Sequence, residues 1–234
     1  MSSVAERGVL YVVATPIGNL DDLSQRARDI LSSVGSIACE DTRVTGNLLA
    51  KLGIPKPRLV SYRDENEKTV SEKLLSSIEE GTSLALVSDA GTPTISDPGF
   101  RLVRACRVVG IPVRSIPGPS AAVAALAVSG LPSDRFFFVG FLPPKSAARR
   151  QFFTSYADFS HTLIFYESVH RIEKFLSELI EVLGEDRTIS VARELTKKYE
   201  SSFSGKATVV KDQVLSQSRK GEYVVIVATK GFDL

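Results

Sequence analysis

Short unbroken apolar runs alternate along this chain with longer stretches in which apolar residues recur every three to four positions. The run Val9-Leu-Tyr-Val-Val-Ala14 reads as a buried strand, and Leu23, Ala27, Ile30, Leu31 and Val34 then share one face of a helix stopped at Gly35. Ser36-Ile-Ala-Cys39 is a second strand. Leu48, Leu49 and Leu52 mark the next helix, and residues 58–62 a third strand. Arg63-Asp-Glu-Asn-Glu-Lys68 reads as a solvated charged run. A helix on Val70, Leu74, Leu75 and Ile78 leads to the strand Leu84-Ala-Leu-Val87. A helix on Leu102, Val103, Cys106 and Val109 follows. The strand Ile111-Pro-Val-Arg-Ser-Ile116 comes last, with Pro112 placing it at a sheet edge or at its own start. This strand–helix alternation predicts a parallel, doubly wound sheet.

Pro117-Gly-Pro-Ser120 is the strongest break in the chain. It divides an N-terminal α/β domain, 1–117, from a C-terminal mixed α/β domain, 118–234. Ser120 is placed to cap an Ala-rich helix running to Val128. Arg135-Phe-Phe-Phe-Val139 is strand-like, and the basic stretch from Phe141 to Arg150 reads as a loop. Strands at 162–166 and 188–191 flank a helix on Ile172, Phe175, Leu176, Leu179 and Leu183. An extended piece near Phe203, a helix over 209–215 and a strand over 221–228 complete the pattern.

Composition narrows the function classes. The 234 residues carry a formal net charge of +2, so RNA contact would need a local basic patch rather than a bulk field. Two separated cysteines, Cys39 and Cys106, read as buried thiols of a reducing, cytoplasmic compartment. Two histidines and two scattered cysteines argue against a metal site. No apolar run reaches membrane-spanning length, and the N-terminus lacks a signal core.

Ligands of parallel sheets sit beyond the carboxyl ends of the strands. The chemistry here gathers at strand ends. Ala14-Thr-Pro-Ile-Gly-Asn-Leu20, Glu40-Asp-Thr-Arg43, Val87-Ser-Asp-Ala-Gly-Thr-Pro93, Ser96-Asp-Pro-Gly99, Pro117-Gly-Pro-Ser120, Phe165-Tyr-Glu-Ser168 and Ala192-Arg-Glu-Leu-Thr196 follow one another in order. Each motif is modest alone; together they closely resemble the bacterial small-subunit ribosomal RNA 2′-O-ribose cytidine methyltransferases, a branch of the tetrapyrrole-methylase superfamily. The resemblance spans essentially the whole chain. It implies the two-domain fold of that superfamily, with S-adenosylmethionine in the cleft between the domains. It further implies a homodimer and a cytidine in the decoding region of 16S rRNA as substrate. Many members continue into a small helical C-terminal extension suited to RNA contact, which this sequence is expected to lack because it stops at Leu234.

The resemblance also implies roles for residues. Gly91, Thr92 and Pro93 align with the superfamily's Gly-Asp-Pro cofactor loop; Thr92 stands where the acid would be, and Asp89 is placed to compensate. Pro16, Ile95, Ser120 and Ala121 match other cofactor contacts. A ribose hydroxyl needs a proton acceptor, and Glu40, Asp41, Glu167, His170 and Glu194 are open as general bases. Adjacent Glu40 and Asp41 point opposite ways on an extended chain, so only one can serve. Arg43, Lys145, Arg149, Arg150, Arg171, Arg193, Lys197 and Lys198 are candidate RNA contacts, and Tyr62, Phe141 and Tyr166 candidate stacking partners. Two other readings stand beside this one: a tetrapyrrole methylase of the same fold, and a non-catalytic RNA-binding or ribosome-assembly module.

Overall fold

The structure, a computed structural model, describes residues 4–218 and 220–234. The chain divides into two compact units, Met1–Ser120 and Ala121–Leu234. The first unit runs β1 (Leu10–Val13), α1 (Gln25–Ser33), β2 (Ser36–Cys39), α2 (Thr42–Lys51), β3 (Arg58–Ser61), α3 (Glu67–Glu79), β4 (Leu84–Val87), α4 (Phe100–Val108) and β5 (Val113–Ile116). Its five strands are all parallel, in the order β3-β2-β4-β1-β5. Alternate side chains leave opposite faces of a strand. Tyr11, Val13, Ala85 and Val87 accordingly pack with Ala27, Ile30 and Leu31 of α1, whereas Leu10, Leu84 and Leu86 pack with Leu74 and Ile78 of α3 and Leu102 of α4. Helices cover both faces, and the apolar runs of the three central strands, β2, β4 and β1, are buried on both sides, as the sequence pattern requires. Pro112 lies just before β5, which is an edge strand.

The second unit runs α5 (Ala121–Ser129), β6 (Phe136–Phe141), α6 (Ser146–Ser155), β7 (Thr162–Ser168), α7 (Ile172–Leu183), β8 (Thr188–Arg193), β9 (Ser201–Lys206), α8 (Ala207–Ser216) and β10 (Glu222–Val227). Its sheet has the order β6-β7-β10-β8-β9; only the β6–β7 pair is parallel. Phe165, Val191, Val225 and Val227 form one core with Phe153 of α6, Phe175 and Leu179 of α7 and Val210 of α8. The Ala-rich α5 packs on β10 and β8.

Two expectations need correction. The basic stretch ending at Arg150 is not all loop, because α6 begins at Ser146 and buries Phe153. The charged run before Lys68 is not wholly solvated. Glu67 opens α3 and is 8% exposed, on the same helical face as Ser71, Leu74 and Ile78.

Candidate functional site

In the first unit the chain leaves β1 toward β2 on one side and leaves β4 toward β5 on the other, so the carboxyl ends of β1 and β4 mark a topological switch point. The loops there are tied together. Thr15 and Gly91 exchange backbone hydrogen bonds, with Thr15 N to Gly91 O at 2.8 Å and Gly91 N to Thr15 O at 3.1 Å. Thr15 Oγ1 donates to Ser88 O at 3.1 Å, and Thr92 Oγ1 donates to Pro119 O at 3.0 Å. Asp41 N donates to Asp89 Oδ1, joining the β2 and β4 ends, and Arg63 Nε donates to Glu40 O, joining β3 to β2. All five strand ends therefore share one hydrogen-bonded rim. Gly91 holds φ +80°, a conformation that glycine adopts without cost. Thr94 and Ser96 also have positive φ, and such concentrated backbone strain marks segments held by their surroundings.

The rim is crowded with acids. Burial pushes Asp97 up to about 6, with Glu40, Asp89 and Asp64 adding repulsion. Burial and Asp89 raise Glu40, and burial and Asp41 raise Asp89. Asp41 goes the other way: its bonds to the Arg43 side chain and backbone hold its carboxyl well below the usual range. Asp41 is thus a helix cap and the partner of Arg43, which argues against both a proton acceptor at Asp41 and a free cation at Arg43. Pro16, Gly91 and Pro93 are buried; Thr92, Asp89 and the joint residues Ser120 and Ala121 are half-buried, and Ile95 is exposed.

Sequence reasoning placed Asp97 in the Ser96-to-Gly99 motif without giving it a role, and missed Glu67 as a part of this loop system. Glu67 Oε1 accepts from Gly99 N and Arg101 N, each at 3.1 Å, and from Tyr62 Oη at 3.0 Å. It pins the loop before α4 to α3, where a helix N-terminus favours negative charge. Its helical phase with Ser71, Leu74 and Ile78 was the available signal. Tyr62 is 1% exposed, so the expectation that it stacks on RNA is corrected.

In the second unit the ends of β6, β7 and β8 lie at the sheet edge where β10 begins. Glu167 is buried, accepting from Ser168 N and pairing with Arg171, which also donates to Leu142 O. His170 is exposed. Glu194 would be raised by burial, but bonds from Lys197 and Glu222 N outweigh this and hold it below the usual range, unsuited to accept a proton. Lys197 is shared between Glu194 and Glu222, so it is not the free cation expected for RNA.

Arg149 is corrected more sharply: at 2% exposed it makes a two-pronged ion pair with buried Glu178 at 2.7 and 2.9 Å and donates to Pro143 O and Pro144 O. Arg150 pairs with Glu181. Arg193 is 8% exposed and donates to the carbonyls of Lys220 and Tyr199. Lys145 and Phe141 remain on the surface, while the Tyr166 ring packs edge-on against Phe138 and Phe141.

The profile of the Tetrapyrrole (Corrin/Porphyrin) Methylases matches residues 9–210. The chain belongs to this family. Two of its relatives are both named ribosomal RNA small subunit methyltransferase I. The one from Xylella fastidiosa (strain Temecula1) is 54% identical over 94% of this chain and 81% of its own length. The one from Escherichia coli O157:H7 is 50% identical over 94% of this chain and 78% of its own. The tetrapyrrole-methylase fold is also seen in a uroporphyrin-III C-methyl transferase from Thermus thermophilus solved with S-adenyl homocysteine. That structure has a TM-score of 0.61 and 18% identity, covering 93% of this chain and 96% of the other. The chain combines a parallel five-stranded sheet in its first unit with a mixed five-stranded sheet in its second. Among the described residues no group of three His, Cys, Asp or Glu could hold a metal ion, and no helix is long and apolar enough to cross a membrane.

Proposed function

We propose that this protein is an S-adenosylmethionine-dependent methyltransferase of small-subunit ribosomal RNA, that it modifies the 2′-hydroxyl of a cytidine in the decoding region, and that it works as a homodimer. The observation that carries the reading is the hydrogen-bonded rim at the switch point of the first unit. The relatives at 50–54% identity support ribosomal RNA as the substrate.

The donor fits this rim by its charge. S-adenosylmethionine is a sulfonium cation that supplies an electrophilic methyl group. Burial is the main cause that raises Glu40, Asp89 and Asp97, neighbouring carboxylates add to each shift, and a cation beside the three offsets both effects. Pro16, Asp89, Gly91, Thr92, Pro93 and Ile95 are the residues assigned to hold the donor. The Thr15–Gly91 and Thr92–Pro119 bonds keep their backbone rigid, so little ordering remains to be done on binding.

In-line methyl transfer requires alignment of the attacking oxygen and removal of its proton. An acceptor works best with a pKa near the working pH. Asp97, pushed up to about 6, meets that condition; Asp41 and Glu194, held ionised by Arg43 and Lys197, do not. The proton is assigned to Asp97, which lies on the same rim as the donor residues and whose raised pKa is owed chiefly to burial, with Glu40 and Asp89 adding to it.

The direct test is transfer of tritiated methyl from the donor to small ribosomal subunits from a strain lacking the enzyme, followed by mapping of the labelled nucleotide. Label on a cytidine ribose in the decoding region is expected. Label on a base, or none on RNA, overturns the reading.

A further inference from the structure

A cavity of about 650 Å³ opens in the second unit beside the end of β8, and Arg193, Lys198, Tyr199, Ser201 and Lys220 are among the residues lining it. Its volume falls in the range of sites for small organic groups, roughly 300–1,000 Å³. The loop forming it is strained: Glu194 and Thr196 hold φ +51° and +66°. That turn occupies the acids with internal partners. Glu194 takes Lys197 and Glu222 N, and Glu200 takes Thr196 N at 2.6 Å.

The cations are left over. Among the described residues, neither Lys198 nor Lys220 meets a carboxylate, and Arg193 donates only to backbone carbonyls. Tyr199 is 65% exposed, with Lys198 Nζ 5.5 Å from its ring centroid. Ser201 Oγ is shielded from solvent and has no hydrogen-bond partner, although buried hydroxyls ordinarily find one.

Uncancelled cations and an exposed aromatic face match two parts of one nucleotide: a phosphate and a base that stacks. We propose that this cavity seats one nucleotide of the single-stranded segment of the RNA substrate, its phosphate toward Lys198 and Lys220 and its base against Tyr199. The proposal rests on the RNA-methylation reading for its choice of ligand and adds a separate recognition site to it.

The test measures binding of a fluorescein-labelled oligocytidine RNA to the full-length wild type, to Tyr199→Ala, to Tyr199→Phe and to a Lys198→Ala/Lys220→Ala double variant, over a series of salt concentrations. Thermal melts establish that each variant folds. The double variant is expected to lose about tenfold or more in affinity, and its log–log salt slope to fall by about 0.7, for the one phosphate that the two cations share. Tyr199→Ala is expected to lose at least about fivefold while Tyr199→Phe keeps wild-type affinity. Unchanged affinity and slope in folded variants overturn the proposal, as does a wild type that fails to bind the RNA. Cytidine 5′-monophosphate binding as tightly as the oligonucleotide overturns it in favour of a free nucleotide. A wild type that binds RNA through this cavity but transfers no methyl sinks the proposed activity alone. One that methylates small subunits while the variants behave as wild type sinks the cavity alone.

Discussion

Asp97 is a half-buried carboxyl whose proton is held more tightly in the folded chain than in the unfolded one, its pKa rising from 3.8 to about 6. Its contribution to stability is therefore complete below the unfolded value and is lost as pH climbs from about 4 to about 6. Asp97→Asn is expected to raise the unfolding free energy at pH 7 by about 1 kcal/mol, discounted for partial exposure, with the gain vanishing near pH 4. Chemical denaturation at the two pH values checks this. The same variant is expected to lose about a hundredfold or more in methyl-transfer rate if Asp97 takes the proton. Two positions away, Gly99 sits at φ +137°, and an added Cβ would lie 2.7 Å from Leu86 Cδ2 and 3.0 Å from Thr94 Cγ2. Gly99→Ala is expected to cost about 1–3 kcal/mol, read from the shift of a urea melt.

Helix α6 owes its position to a buried ion pair. Arg149 points inward, where the Glu178 carboxylate, two proline carbonyls and the Ser146 hydroxyl account for the bonding of both charges. Burial would raise Glu178, but the bonds from Arg149 and Ser146 outweigh it and keep the acid ionised. Removing one partner strands a charge in the core. Arg149→Ala is expected to destabilise by about 3–5 kcal/mol, whereas Arg149→Met with Glu178→Leu is expected to restore most of that loss. A double-mutant cycle on thermal unfolding measures both. In the first unit Glu67 performs the matching task with one carboxylate, bracing the N-terminus of α4 and hence the Ser96-to-Gly99 loop.

Across the whole molecule, a donor that binds only the folded chain must stabilise it by mass action. At a hundred times its Kd, S-adenosylmethionine is expected to add about 2.7 kcal/mol, a rise in Tm of roughly 5–10 °C for a chain of this size. Gly91→Val places a β-branched residue at φ +80° in the Thr15 bridge. The variant is expected to melt lower and to show no donor-dependent rise. Differential scanning fluorimetry with and without donor decides it; a normal rise in the variant removes Gly91 from the site.

The alternation of apolar runs with helical periodicities was sufficient for the parallel first sheet and for the strands of the second unit, though not for α6, because a doubly buried strand is written locally as an unbroken apolar run and a helix face as a period near four. Pro112 before an edge strand and the strand-end motifs were legible for the same reason. Partnership was not. Arg149, Arg193 and Lys197 look like surface cations in a linear chain, since nothing near them in sequence announces Glu178, the Lys220 carbonyl or Glu222. Asp41 and Asp97 are both acids in turn-rich motifs, yet one is pulled down by Arg43 and the other pushed up by burial, with carboxylates from two other loops and from its own adding to the shift. Charge state and availability depend on which groups the fold brings within a few ångströms, and that distance is a property of the folded chain rather than of any local pattern.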